Sequence, residues 1–407
     1  MTLFDKAKKA INLFNLFSIL FLMFTLVVRN YELQKFAYFL FFITYFIEII
    51  IEKKWKNIQL TKRTVYFFSI LFFFLLALAY YPFEESDRYF KLLIEKRYPL
   101  LGFSIVGIFG VNQLYKLKYF IYTLVLTSLS IIFFLLFKVG VGNFIKDPNL
   151  FNLSRIEFIN THMIVNFYFN STILGIWYLL SNNWKSLNIG YKIFLVLSVL
   201  IFISILSISE GRTGFLAGIF VSITILFIEL WKQKKRFGII FLLVIPWAVA
   251  LLISTHQRMD TEDIKGEPRF FLWKSGWHVV KENPVLGQGI STAQVKFDEA
   301  REIYQTEDYK QAWIESKHLD SHSQYIQTWM EFGIIGIIVL LYIYFAPFFL
   351  IPKKRLNLLL LFIILCFVQS FFDMFITGYF SATFCIWMIF LLKTSTKEDK
   401  LKKIVII

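Results

Sequence analysis

Three short stretches of this sequence hold residues suited to gripping an anionic substrate and moving a proton. In Ser-Ile-Ser-Glu-Gly-Arg-Thr-Gly-Phe-Leu-Ala-Gly, residues 207–218, Arg212 follows Gly211 at a tight turn between two apolar segments. Glycine supplies the backbone freedom for the turn, and a guanidinium fixed there grips a phosphate through two parallel hydrogen bonds. The alternative is an arginine snorkelling to lipid headgroups; one basic residue in so short a turn favours the phosphate role. The second stretch, 267–289, opens with Glu267 and Pro268, which suit a helix start, and puts Arg269 in the first turn. Asn283, Pro284, Gly287 and Gly289 end that helix in a turn. The glycine pair offers backbone N–H groups to a phosphate, although a plain structural turn is the better reading.

The third stretch, 320–336, carries the candidate base. Ser321 and Gln324 have the spacing of a capping box, which puts His322 at the first helical position, with Tyr325, Trp329 and Gly336 on the same face. The helix dipole disfavours an imidazolium there, so a neutral His322 is expected, able to accept a proton as a general base. A structural or surface role is the default for a lone histidine. His318 stands four residues earlier, but no third His or carboxylate has the spacing of a zinc motif, so no metal and no other cofactor is expected. Arg155 before the sixth apolar segment and His162 at its start add polar candidates, and Arg155 or Arg97, the latter before the fourth segment, is expected to help Arg212 and Arg269 hold a diphosphate. Glu331 and Asp373 are acids at helix ends that either orient the bases or cap their helices.

The elements that position these residues follow from composition. Of 407 residues 57% are apolar, 50 are Phe and only 17% are charged, which leaves too little polar surface for a water-soluble fold. A bilayer core of about 30 Å takes about 20 apolar residues per helix. Twelve segments fit: 10–28, 36–51, 65–81, 98–111, 119–137, 161–180, 190–208, 212–231, 237–253, 333–350, 356–374 and 376–392. None alternates as a barrel strand would, so the expected fold is an all-α integral membrane bundle.

Twelve crossings leave both termini on the cytoplasmic side, and the basic residues agree with that orientation. Cytoplasmic segments then hold 24 of the 43 Lys and Arg, short outer loops 10, and the long segment 254–332 the other 9. The chain thus divides into helices over 1–253, a large extracytoplasmic loop over 254–332, and the last three helices with a tail over 333–407. Trp273, Trp277, Trp313 and Trp329 among charged residues predict short interfacial helices in that loop. The net charge of +15 is explained by this asymmetry and by anionic lipid, not by nucleic acid. No nucleotide-phosphate loop occurs. Cys366 and Cys385 lie in apolar segments and read as small hydrophobes. The first apolar stretch lacks small residues at a cleavage site and is expected to remain as an anchor helix.

Taken in order, the turn arginine, the long loop with its Arg–Trp–Pro–Gly–Gly run, and the Ser-His-Ser-x-Tyr motif ending in Glu-x-Gly-x-x-Gly resemble the O-antigen ligase and polymerase family. The resemblance is strongest over 200–336; Lys-Leu-Leu-Ile-Glu-Lys-Arg-Tyr-Pro-Leu-Leu-Gly-Phe at 91–103 and the His162 region add less specific likeness. It implies a glycosyltransferase in the bacterial cytoplasmic (inner) membrane whose donor is a glycan on undecaprenyl diphosphate. The acceptor would be the lipid A core for a ligase, or another glycan or a protein for a polymerase or oligosaccharyltransferase. Arg212, Arg269 and His322 match the family's functional Arg and His positions. One departure is Ser-Glu-Gly before Arg212, where relatives often carry a second serine. A polysaccharide transporter or flippase is the rival from a different class.

Overall fold

The computed structural model describes residues 3–58, 60–79, 88–140, 142–143, 162–208, 212–236, 238–240, 243, 268–304, 320–378 and 380–392. Among them the protein is helical and contains no strand, as expected for an all-α membrane protein. In chain order the α-helices are α1 (Leu3–Thr25), α2 (Tyr31–Glu52), α3 (Lys62–Ala79), α4 (Arg88–Glu95), α5 (Tyr98–Phe109), α6 (Leu117–Val139) and α7 (His162–Asn183). They continue with α8 (Ile189–Ile208), α9 (Arg212–Gln233), α10 (Pro268–Glu282), α11 (Ile290–Tyr304), α12 (Gln324–Phe345), α13 (Leu356–Phe372) and α14 (Ser381–Leu392).

Nine of these helices are long and apolar enough to cross a membrane, and they coincide with nine of the twelve segments read from hydropathy. The segments at 98–111 and 376–392 contain instead the helices α5 and α14, each of 12 residues. At 1.5 Å per residue these measure about 18 Å, short of a bilayer core. Segment 237–253 lies almost wholly outside the described residues.

The chain forms two compact units, Met1–Leu124 with Phe271–Ile407, and Val125–Phe270. In the first, glycines set the helix spacing: a Cβ on Gly107 of α5 would stand 2.1 Å from the Phe67 ring of α3, and one on Gly102 2.1 Å from Phe42 of α2. All twelve residues of α14 are buried, which fits a short helix that is apolar all round. Its Trp387 stacks on Phe362 at 4.6 Å and meets the edge of Phe120 at 4.8 Å.

The first unit also buries an ion pair, Lys54 with Glu48. Asn112 Nδ2 donates to Glu48 Oε2 at 2.9 Å, and Lys54 Nζ donates to the Gly110 carbonyl at 2.7 Å. Tyr45 Oη donates to the same carbonyl at 2.9 Å and to that of Val106 at 3.1 Å. A cation and a phenol thereby satisfy the Gly110 carbonyl at the C-terminus of α5, where positive charge is favoured, while the Val106 carbonyl also accepts from Gly110 N at 2.9 Å. This buried charge belongs to the scaffold that holds α5, and hence Arg97 just before it.

In the second unit α7 and α9 lie close because α9 presents Gly214 and Gly218 to two buried asparagines. A Cβ on Gly214 would stand 2.5 Å from Asn166, and one on Gly218 2.8 Å from Asn170. Asn170 Nδ2 donates to the Gly214 carbonyl at 2.9 Å. Small residues four apart allow close backbone approach in membranes, where interhelical hydrogen bonds then form. Farther along the same pair of helices, Trp177 Nε1 and Ser181 Oγ donate to Glu229 at 2.9 and 2.7 Å. Glu229 is satisfied by these bonds and by Lys232, so α9, which starts at Arg212, is pinned to α7 at two levels.

Candidate functional site

The long segment contributes short helices as expected, α10 with Trp273 and Trp277, and α11. Leu272, Val279 and Val280 of α10, Ala293, Phe297 and Ala300 of α11 and Met330 of α12 form one core, with Ile326 and Trp329 packed beside it. Gly276 permits the approach: a Cβ there would stand 2.4 Å from Ile326.

Between α10 and α11 the Asn283–Gly289 turn closes on a break in α12. Gly333 has φ 60° and ψ −154°, a region open essentially to glycine alone. The helical ladder is therefore interrupted, and the turn completes it. Gln288 N donates to the Met330 carbonyl at 2.7 Å and Gly289 N to the Glu331 carbonyl at 2.9 Å, while Ile334 N donates to the carbonyls of Pro284 and Val285 at 3.1 and 3.2 Å. Trp329 Nε1 donates to the Pro284 carbonyl at 2.9 Å. Gly289 N is spent on this clasp and Gly287 N on the Asn283 carbonyl of its own turn at 3.0 Å, so the structural reading of Gly287 and Gly289 holds. The break also separates Gly336 from the face shared by Tyr325 and Trp329.

A Cβ on Gly333 would stand 2.1 Å from the Val285 carbonyl oxygen, and one on Gly287 2.5 Å from Gly333 N. Gly333→Ala is accordingly expected to lower stability by about 1–3 kcal/mol from backbone conformation alone, with the overlap adding to it. A melting curve of the purified variant checks this.

Beneath the clasp Arg97 and Glu331 form a buried ion pair. Arg97 Nη2 donates to both carboxylate oxygens, at 2.8 and 2.7 Å, and the two residues are 1% and 0% exposed. Gln327 Nε2 donates to Glu331 Oε1 at 2.9 Å, and Gln327 Oε1 accepts from Ser321 N at 3.3 Å.

The capping-box expectation is corrected here. His322 lies two residues before α12, with φ 46°, and the N-cap is Ser323, which makes no side-chain cap bond. Gln324 does not reach back to cap the helix. Its Oε1 accepts from Ile376 N, Thr377 N and Thr377 Oγ1 at 2.8, 3.0 and 3.1 Å, satisfying buried donors between α13 and α14. His322 N donates to Asp320 Oδ1 at 3.0 Å, and the same oxygen stands 3.6 Å from His322 Nδ1. The carboxylate facing the imidazole is thus Asp320, which the sequence reading missed although Asp-x-His is a local signal. Glu331 faces Arg97 instead. Asp373 follows α13 and accepts from Met374 N at 2.8 Å, and Tyr325 Oη donates to the Phe367 carbonyl at 3.0 Å.

Of the other candidates, Arg212 and His162 are the first residues of α9 and α7, and Arg269 is the second of α10, half-buried. Arg212 and Arg269 fall in the second unit, His322, Arg97 and Glu331 in the first. Arg155 and His318 lie outside the described residues. Cys366 and Cys385 are buried free thiols.

Residues 195–341 match the family model for O-Antigen ligase. The chain carries an O-antigen ligase domain. The matched range holds Arg212, Arg269, Asp320, His322, Gln327 and Glu331, and it includes both loop helices and the clasp on α12. Its long apolar helices are those of a multi-pass membrane protein, within which residues 195–341 are similar to the O-antigen ligase family. No curated protein matches the chain.

Proposed function

We propose that this O-antigen ligase domain transfers a glycan from undecaprenyl diphosphate to the lipid A core at the periplasmic face of the inner membrane. The observation that carries the reading is that the ligase match spans Arg212, Arg269 and His322 together, with His322 on a half-exposed turn beside Asp320. The Asp320 carboxylate 3.6 Å from Nδ1 favours the tautomer protonated at Nδ1, which leaves Nε2 as the proton acceptor.

The acceptor hydroxyl gives its proton to His322 as its oxygen bonds to the anomeric carbon. The bond from that carbon to the diphosphate oxygen breaks, and the electron pair leaves with undecaprenyl diphosphate. Arg212 and Arg269, helped by Arg155, stabilise the charge that grows on the leaving group. Arg97, expected from the sequence to help at the diphosphate, is buried with Nη2 committed to Glu331 and does not reach the donor. A diphosphate leaves readily, so this route is metal-independent, and direct attack inverts the anomeric centre.

A transporter would leave the unpaired backbone of a broken helix open to its cargo; here the break at Gly333 is filled by the protein's own turn. Both termini are read as cytoplasmic from the distribution of Lys and Arg. Deleting the gene and separating envelope glycans on a gel tests the reading. The expected result is full-length glycan retained on its lipid carrier beside bare lipid A core. Single repeats would instead indicate a polymerase, and an unchanged pattern would contradict the family of reactions altogether.

A further inference from the structure

We infer that Arg97, Glu331 and Gln327 form a relay that holds the His322 turn in register, which makes them positioning residues for transfer. The inference rests on the base role proposed for His322. A non-glycine residue at φ 46° persists only where its surroundings over-determine it. The helix does not supply that constraint, because Ser323 makes no side-chain cap bond. Two constraints on the turn are local: Ser321 Oγ donates to the Ser323 carbonyl at 2.9 Å, and His322 N donates to Asp320. The third is not local, because Ser321 N donates to Gln327, whose amide is fixed from the far side by Glu331 and through it by Arg97.

The chemistry of the four groups permits only one arrangement. A guanidinium only donates, a carboxylate only accepts, and a backbone N–H only donates. The Gln327 amide must therefore turn Nε2 toward Glu331 and Oε1 toward Ser321, and it cannot flip without losing both bonds. Ser321, Gln327, Glu331 and Arg97 are all buried, so water does not compete for these bonds. The clasp fixes the same point from the backbone, since Gly289 N donates to the Glu331 carbonyl. An ion pair needed for stability alone would not require an amide at 327; an amide is what couples it to the His322 turn.

The test uses the full-length protein purified in nanodiscs, with the host's own undecaprenyl-linked glycan as donor and its matched acceptor. Rates, donor KM and melting temperature are compared for Gln327→Leu, Gln327→Glu, the exchange Gln327→Glu/Glu331→Gln, and His322→Ala. Gln327→Leu is expected to lower kcat by about 10- to 100-fold with donor KM held, and to lower the melting temperature as well, since Ser321 N is left buried without its acceptor.

Gln327→Glu sets two carboxylates face to face and is expected to be as slow or slower. The exchange keeps a donor facing an acceptor from Ser321 N through position 327 to position 331 but gives up one of the two Arg97 bonds, because an amide at position 331 offers a single acceptor oxygen; it is expected to be at least about threefold faster than Gln327→Glu. If Gln327→Leu fails to fold, the kcat of Gln327→Glu against that of the exchange decides the same question. The relay is overturned by a Gln327→Leu protein with wild-type kcat, or by an exchange variant no faster than Gln327→Glu. A dead His322→Ala beside a fully active Gln327→Leu fails the relay alone, whereas a fully active His322→Ala fails the base role on which it rests.

Discussion

Replacing His322 with alanine is expected to lower glycan transfer by about 10²- to 10⁴-fold, the span that a positioned general base contributes. The imidazole sits on a half-exposed turn, and the backbone N–H of the same residue is what anchors to Asp320. Alanine therefore keeps the anchoring bond and removes the proton acceptor. His322→Asn is the stricter comparison, because asparagine tolerates the left-handed backbone that His322 adopts. Both variants should fold, reach the membrane in normal amount and bind the lipid-linked donor with unchanged KM. Initial rates on purified protein check this, and a variant retaining more than about a tenth of the wild-type rate would not fit a general base.

The second large effect concerns the Arg97–Glu331 pair. Glu331→Ala leaves the Arg97 guanidinium buried without its carboxylate, and breaking a buried pair from one side costs about 3–5 kcal/mol. Arg97→Leu should cost a similar amount, because Glu331 would then be the buried charge without a counter-ion. The double variant Arg97→Leu/Glu331→Leu removes both charges and is expected to recover most of that stability. It should remain slow in transfer, since Gln327 has lost the carboxylate that orients its amide. Melting temperatures of the two single variants and the double, measured with their transfer rates, separate the structural part of the pair from the positioning part. Additive losses of stability in the double variant would contradict the pairing.

Much of the architecture was legible in the sequence because a bilayer imposes one strong rule, about 20 apolar residues per crossing. Hydropathy gave full crossings at α5 and α14, where the described helices have 12 residues each, and every residue of α14 is buried; composition alone does not distinguish Trp387 facing Phe120 from a residue facing lipid. Of the candidate site, His322, Arg212 and Arg269 were readable from local motifs. The partnership of Arg97 with Glu331 was not, since 234 residues separate them and only the fold brings them together. The capping-box spacing at Ser321 and Gln324 misled for a similar reason. Three buried donors between α13 and α14 take the Gln324 carbonyl oxygen, and they outweigh a cap that water can replace. Gly287 and Gly289 were singled out correctly as special, but their partner, the break at Gly333, lies far along the chain. The Gly214 and Gly218 pair that lets α7 approach α9 was a local signal that the reading passed over.

The most direct test of the central claim is a transfer reaction with purified protein, undecaprenyl-diphosphate-linked glycan and acceptor, following both the released carrier and the anomeric configuration of the product. The account predicts one undecaprenyl diphosphate released per glycan joined, inversion at the anomeric carbon, activity that survives chelator, and turnover lowered by about 10²- to 10⁴-fold in His322→Ala. Retention of configuration, or equal turnover by His322→Ala, would contradict it.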